Sequence, residues 1–148
     1  NVFVVDYKFT YKYCGIVDPN YFTISIEHFT ESLQFNTCLN RKLAIDIDGN
    51  VKNCPNTKAI HGKIDDVDIV DLIKDESFAN IGKIHKGLIS VCKDCEFRNI
   101  CTDCRAFVES PDDIFSKPLK CGYSPYTNEW NEWSESPIKK SLIEYYSL

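Results

Sequence analysis

The sequence has no methionine, no long apolar run and no excess of basic residues. No segment approaches the roughly 20 apolar residues that a transmembrane helix needs, and no basic stretch leads into an apolar one as in a signal peptide. The 148 residues carry a formal net charge of −5, which disfavours nonspecific binding to nucleic acid because that binding needs a basic face. These features predict a protein that binds neither membranes nor nucleic acid.

What the sequence does contain is the composition of a folded domain. Hydrophobic residues make up 43% of the chain and aromatic residues 13%, which is enough apolar material to build a core. The chain begins inside an apolar run, Asn1–Val5, so we expect it to be part of a longer protein. A small basic cluster, which we expect to be solvated, consists of Lys117, Lys120, Lys139 and Lys140.

Short strands and helices are predicted at several places along the chain. Aromatic and β-branched residues predict one or two strands in residues 1–13, and alternating apolar residues predict another over Tyr21–Glu27. The spacing of apolar residues predicts a helix over Asp66–Asn80 and a terminal helix over Lys139–Leu148. The predicted fold class is therefore α+β.

The clearest local element is a β-hairpin. Leu43–Ile47 and Val51–Asn53 flank Asp48-Gly49, a pair that supports the positive φ angles of a tight hairpin turn. Cys38 precedes this hairpin and Cys54 follows it. Because an antiparallel return brings the two ends of a hairpin together, both thiols can face one ion or cluster.

Eight cysteines make disulfides, zinc and iron–sulfur clusters the three competing chemistries. Disulfides are disfavoured, because they suit small exported domains with weak cores. Two pairs, Cys92-Lys93-Asp94-Cys95 and Cys101-Thr102-Asp103-Cys104, have the spacing at which two sulfurs face one metal centre. This spacing does not choose between zinc and iron–sulfur. The cysteines left over, which are enough for a second centre, are Cys14, Cys38, Cys54 and Cys121.

The complete arrangement is Cys38, ten residues, Gly49, four residues, Cys54, then Cys92-x2-Cys95-x5-Cys101-x2-Cys104, and finally Cys121. It resembles the SPASM domain, the C-terminal extension of many radical-SAM enzymes that modify peptides and proteins. One spacing departs from the family pattern, since two residues rather than three separate Cys101 from Cys104.

Several short segments resemble one group within that family, the peptide maturases of the "grasp-with-spasm" systems. These segments are Cys38-Leu39-Asn40-Arg41-Lys42, Lys52-Asn53-Cys54-Pro55, Cys95-Glu96-Phe97-Arg98, Cys101-Thr102-Asp103-Cys104-Arg105 and Lys117-Pro118-Leu119-Lys120-Cys121. The resemblance implies a bacterial, cytoplasmic enzyme whose substrate is a ribosomally synthesised precursor peptide. It also implies an ATP-grasp ligase as a further partner, encoded beside the maturase.

The resemblance implies two [4Fe–4S] clusters with interleaved ligands. One cluster would be held by Cys92, Cys95, Cys101 and Cys121. The other would be held by Cys38, Cys54 and Cys104, and it needs a fourth ligand. Solvent, the substrate peptide and Cys14 are the candidates for that ligand. We favour Cys14, because Gly15 beside it has no side chain and lets the backbone come close to a cluster.

The resemblance also divides the chain and limits its activity. Residues 1–37 would be a strand-rich lead-in from a radical-SAM core in the same chain, and residues 122–148 an aromatic, helical tail. Residues 38–121 would be the SPASM domain, a β-hairpin with one or two helices and cysteine-rich loops organised around the two clusters. The Cys-x3-Cys-x2-Cys loop that binds S-adenosylmethionine is absent here, so we expect this chain to start no radical reaction alone.

The function expected from the resemblance is electron transfer, substrate positioning or both, in a peptide-modifying enzyme. A zinc-stabilised binding module with no redox role is the alternative. A disulfide-stapled extracellular domain is the third hypothesis.

Overall fold

The computed structural model describes residues 14–147, so the strands predicted for residues 1–13 lie outside the described residues. Helices and short strands are mixed, as the α+β class requires. In the described part of the chain there are four α-helices, namely α1 (Ile26–Ser32), α2 (Ile69–Leu72), α3 (Glu76–Ala79) and α4 (Pro137–Tyr145). Two antiparallel hairpins are formed by β1 (Ala44–Ile45) with β2 (Val51–Lys52), and by β3 (Tyr123–Ser124) with β4 (Glu129–Trp130). Short 3-10 turns lie at Pro19–Tyr21, Asn80–Lys83, Lys86–Leu88 and Cys92–Asp94.

The first hairpin confirms the turn predicted at Asp48-Gly49, although its strands are shorter than expected. Gly49 has a φ of +76°, which glycine adopts without steric cost. The Asp46 carboxylate accepts hydrogen bonds from the main-chain N–H groups of Asp48 at 3.0 Å and Asn50 at 2.9 Å. Hydrogen bonds from the side chain and main chain of Asn50 lower the pKa of Asp46 to about 2. Backbone and side chain therefore fix this turn together.

The strand predicted for Tyr21–Glu27 is wrong. The chain instead forms a 3-10 turn, a short extended stretch and then α1. Ser25 caps α1, because its hydroxyl oxygen accepts a hydrogen bond from the His28 N–H at 3.1 Å. Ile24 is 86% exposed, so the alternation that suggests a half-buried strand does not correspond to a buried face.

The single helix predicted over Asp66–Asn80 is also wrong, since this region holds two helices, α2 and α3. The Asp68 carboxylate caps α2, and the Asp75 carboxylate caps α3 by accepting from the Ser77 N–H at 2.7 Å. Aspartate side chains compete for backbone N–H groups, so an aspartate inside an apolar pattern can begin a new helix.

The predicted terminal helix is confirmed as α4, which begins two residues earlier than expected. Between Cys121 and α4 lies the second hairpin. Gly122 at its start must be glycine, because a Cβ there would lie 1.7 Å from the carbonyl oxygen of Asn131. Lys139 in α4 donates hydrogen bonds to the carbonyl oxygens of Leu119 at 2.8 Å and Cys121 at 2.7 Å. These bonds fasten the tail to the loop that carries Cys121.

Buried residues form two small clusters, and cysteines belong to both. The first consists of Val17, Cys101, Cys121 and Tyr123, with Phe22, Cys95 and Phe97 packed against it. The second consists of Cys104, Phe107 and Leu119, with Cys14, Ala106, Trp133, Leu142 and Tyr146 packed against it. Cysteines therefore contribute to both clusters, while other buried residues such as Val51 and Ile89 lie outside them. No helix within residues 14–147 is both long and apolar enough to cross a bilayer.

The segments on either side of the cysteine-rich region are joined to it. Val17 forms a parallel bridge with Cys121, and Tyr146 of the tail packs its ring 5.5 Å from that of Phe107. The division of the chain into residues 1–37, 38–121 and 122–148 stays a prediction.

Candidate metal centres

Cys92, Cys95, Cys101 and Cys121 line one cavity, and we call them the first cysteine group. Cys92 begins a 3-10 turn, in which the Cys95 N–H donates to the Cys92 carbonyl at 3.0 Å. Cys121 comes from a distant part of the chain and is held by its bridge with Val17. The structure thus places together the four cysteines that the resemblance assigns to one cluster.

Four aromatic rings line the same cavity, and we call them the aromatic wall. They are Phe22, Phe97, Tyr123 and Trp130. The ring centroids of Tyr123 and Trp130 are 4.8 Å apart, and those of Phe97 and Tyr123 are 5.1 Å apart, which are favourable packing distances. The wall makes the surroundings of the first cysteine group apolar.

A buried ammonium group faces the first cysteine group. The Lys86 side chain is 6% exposed, and its Nζ donates a hydrogen bond to Cys101 Sγ at 3.3 Å. Burial alone would lower the pKa of Lys86, but the Asp103 carboxylate outweighs burial and raises it, and Cys101 and Cys92 add to this effect when they are ionised. Lys86 therefore stays charged.

Asp103 connects the surroundings of Lys86 with those of Cys38. The Arg105 Nη2 donates to Asp103 Oδ1 at 2.8 Å, and the Lys86 Nζ lies 4.0 Å from the same oxygen. The Asn36 amide donates to Asp103 Oδ2 at 2.7 Å, while its own oxygen accepts from the Cys38 N–H at 3.0 Å. A series of buried polar contacts therefore connects Lys86, beside the first cysteine group, with the backbone of Cys38.

The remaining four cysteines, Cys14, Cys38, Cys54 and Cys104, form the second cysteine group. The Cys14 side chain packs against the core cluster that contains Cys104, and interactions with the Cys104 and Cys54 thiols lower its pKa. Burial is the main cause of the raised pKa of Cys38, and the charge of Cys14 adds to it. Cys14, the cysteine outside the family pattern, thus contacts two of the three cysteines with which we expect it to share a cluster.

Close packing behind Cys14 depends on Gly15. Its φ is +73°, and a Cβ at this position would lie 2.8 Å from Cys104 Sγ. On the carbonyl side, the Lys120 Nζ donates to the Cys14 oxygen at 2.7 Å and lies 5.1 Å from the Phe107 ring centroid. Glycine and lysine together hold the Cys14 backbone against the rest of the second cysteine group.

The protonation of the thiols follows from burial and from contacts between them. Burial raises the pKa of Cys92 to about 12, and it is also the main cause of the raised pKa values of Cys38, Cys95 and Cys101. Hydrogen bonds from Cys104 and Cys54 lower the pKa of Cys14, and the same contacts raise theirs. Thiolates are the form that binds metals, so metal binding at either group would release protons.

The thiols of both groups are donors of the kind that metal centres use. All eight thiols are free. Among residues 14–147, no three cysteine, histidine or acidic side chains converge closely enough to hold one ion. Four-iron clusters take four cysteine thiolates and hold them farther apart than one ion does. The free space inside the first cysteine group is about 20 Å³, room for about one water molecule, so cluster binding would require its walls to open.

The burial of three lysines, Lys86, Lys120 and Lys139, is not predicted from the sequence. Lys120 is 1% exposed and Lys139 is 8% exposed, so the expectation of a solvated cluster is wrong for both. Lys86 does have a signal in the sequence, because it is a cation within the short apolar segment Ile84–Ile89, just before the first cysteine pair. Lys120 and Lys139 donate to carbonyl oxygens far away in the sequence, so no local pattern predicts their burial.

Comparison of the chain with protein-family models, curated proteins and solved structures found no match.

Proposed function

We propose that this chain is the auxiliary iron–sulfur domain of a radical-SAM enzyme that modifies a ribosomally synthesised precursor peptide. It would hold two [4Fe–4S] clusters, one on each cysteine group. When bound, each cluster would take up or release one electron at a time. The radical-SAM core would belong to the same chain, and the enzyme would be cytoplasmic, with an ATP-grasp ligase as a further partner.

One observation carries the proposal, namely the division of the eight thiols into two groups of four. Cys92, Cys95, Cys101 and Cys121 surround one cavity, whereas Cys14 meets Cys54 and Cys104, with Cys38 nearby. This division supports the interleaved ligand sets that the SPASM resemblance implies. Spacing alone groups Cys104 with Cys101, and the fold separates them.

The other residues of each group would perform defined tasks. Lys86 supplies positive charge beside the sulfurs of the first cysteine group, and the aromatic wall keeps water away from them. Gly15 allows the backbone close to the sulfurs of the second cysteine group, and Lys120 fixes the Cys14 carbonyl. The sequence contains no Cys-x3-Cys-x2-Cys loop to hold the cluster that cleaves S-adenosylmethionine, so the role we propose is electron transfer, substrate positioning or both.

Anaerobic purification tests the proposal directly. We expect a brown protein with about eight irons per chain and broad absorbance at about 400 nm. A colourless protein that contains zinc would support the zinc-stabilised module instead. A purified fragment of residues 1–148 should also show no reductive cleavage of S-adenosylmethionine. Turnover above buffer controls would contradict the assignment of the radical site to a separate core.

Substitutions then test whether there are two separate sites. Cys95→Ala and Cys54→Ala should each remove about half of the iron and leave one cluster signal, different in the two variants. Lys93→Ala is the matched control, because it changes an exposed residue between two proposed ligands and should retain all iron. Loss of the same signal in both cysteine variants would contradict two separable clusters.

A further inference from the structure

Lys86 is an unusual residue to find in a cavity wall lined by cysteines. Its ammonium group is 3.3 Å from Cys101 Sγ, and its side chain is 6% exposed. Removing an ammonium group from water is unfavourable unless its charge is compensated. A lysine therefore needs a reason to be buried here, where an apolar residue would fill the same space at lower cost.

Asp103 compensates this charge only in part. It is 4.0 Å from Lys86 but 2.8 Å from Arg105, with which it also forms a hydrogen bond. Two buried cations thus share one carboxylate, and one positive charge remains. That charge lies next to the sulfurs of the first cysteine group.

A cluster with four thiolates carries a net charge of about −2, and it becomes about −3 on one-electron reduction. A cation close to the sulfurs stabilises the more negative state, and a hydrogen bond to a thiolate acts in the same direction. No proton has to move for this effect. The electron comes from an external one-electron reductant, which is dithionite in the experiment below.

We propose that Lys86 sets the reduction potential of the cluster on the first cysteine group, by hydrogen bonding to Cys101 Sγ and by leaving one uncompensated positive charge beside it. The inference rests on the proposed function, since it requires a cluster at that group. It goes further by naming the residue that makes this cluster easier to reduce.

Anaerobic redox titration of the full chain with dithionite, followed by electron paramagnetic resonance, tests the inference. In Lys86→Gln we expect the reduction equilibrium constant of one cluster to fall about tenfold or more, a shift of about 59 mV or more to negative potential. The other cluster should be unchanged. Lys86→Arg, which keeps the charge, should recover most of the shift.

The matched control is Lys83→Gln, which makes the same charge change at an exposed residue in the neighbouring turn. A Lys86→Gln shift no larger than that of Lys83→Gln, in a protein that holds both clusters, would overturn the inference and leave the proposed function intact. A wild-type chain without iron would instead refute the proposed function. If Lys86→Gln and Lys86→Met both fail to bind iron while Lys83→Gln binds it, Lys86 has a structural role and the inference is wrong.

Discussion

The first and second cysteine groups differ in how the chain reaches them. Three of the four thiols in the first group lie within residues 92–101, where two turns position them. The second group draws on four separate segments between Cys14 and Cys104. Closing long loops costs more conformational entropy than closing short ones, so the second group depends on the whole fold. If it binds metal, it also stabilises the whole fold.

The two groups also differ in what surrounds the sulfurs. In the first, a lysine ammonium points at a thiol and aromatic rings form one side. In the second, a lysine also lies near the cysteines, since Lys120 donates to the Cys14 carbonyl, and the backbone at Gly15 comes close to Cys104 Sγ. The first group therefore has a cation hydrogen-bonded to a sulfur, whereas close approach of the backbone shapes the second.

The largest effect we expect is that of removing all metal. Both small core clusters contain cysteines, and the second cysteine group ties together segments far apart in the sequence. Oxidation with a chelator should therefore abolish most cooperative unfolding, as followed by circular dichroism during heating. A treated sample that melts as before would show that neither group contributes to the stability of the fold.

The next effect concerns Asp103, which connects the two groups. In Asp103→Ala, the buried Lys86 and Arg105 would lose their carboxylate, and Asn36 would lose its acceptor. Removing one partner of a buried ion pair costs about 3–5 kcal/mol, measurable as a lower free energy of unfolding in urea. Both cluster signals should weaken, because Asn36 also orients the Cys38 backbone.

Asp94 offers a matched control for that experiment. It holds the same position in the first cysteine pair as Asp103 holds in the second, but it is exposed and accepts a hydrogen bond from the Tyr126 hydroxyl at 2.7 Å. Asp94→Ala should change the free energy of unfolding by only about 0.5 kcal/mol. If Asp94→Ala and Asp103→Ala lower the free energy of unfolding equally, the buried contacts of Asp103 have no special role in stability.

A smaller effect, confined to the second group, is expected at Gly15. Gly15→Ala would force alanine into a positive φ, which costs about 1–2 kcal/mol, and would press its Cβ against Cys104 Sγ at 2.8 Å. Gly49→Ala is the matched control, since its φ is +76° but its nearest neighbour, Ile64, is at 3.6 Å. Gly15→Ala should therefore be the less stable variant and should lose iron from the second group alone. Equal losses of unfolding free energy in the two variants would mean that the close approach of Gly15 to Cys104 does not affect stability.

Local signals account for what sequence analysis predicted correctly. The hairpin at Asp48-Gly49 and the terminal helix both follow from residues within a few positions of one another. The strand over Tyr21–Glu27 fails for the same reason, because a local alternation competes with a cap at Ser25 that also acts locally. A pattern this short does not decide whether the segment forms a strand or begins a helix.

Contacts between distant residues account for the rest. Spacing predicts that Cys101 and Cys104 belong together, whereas in the fold they lie in different core clusters. Lys120 and Lys139 look like surface lysines until carbonyl oxygens from other segments surround them. No short stretch of sequence indicates which cysteines lie in the same group, or that these lysines are buried.

The smallest expected effect, on Cys14→Ala, is also the sharpest test of the difference between the groups. Cys14 lies outside the family pattern, yet it packs against the core cluster of Cys104, and interactions with Cys104 and Cys54 lower its pKa. Lys120 holds its carbonyl and Gly15 admits the close approach. These contacts make Cys14 the residue that we favour as fourth ligand of the proposed second cluster.

Loss of that ligand should leave both clusters in place and open one iron of the second. Added thiol or cyanide would bind this iron and change one electron paramagnetic resonance signal, while the signal of the first group stays constant. Cys121→Ala is the contrasting variant, because it removes a ligand from the first cysteine group and should change the other signal. If the spectra and iron content of Cys14→Ala equal those of the parent, Cys14 is not a ligand. Solvent or the substrate peptide would then complete the second cluster, which would give that cluster an open position for direct binding instead of a purely electron-carrying role.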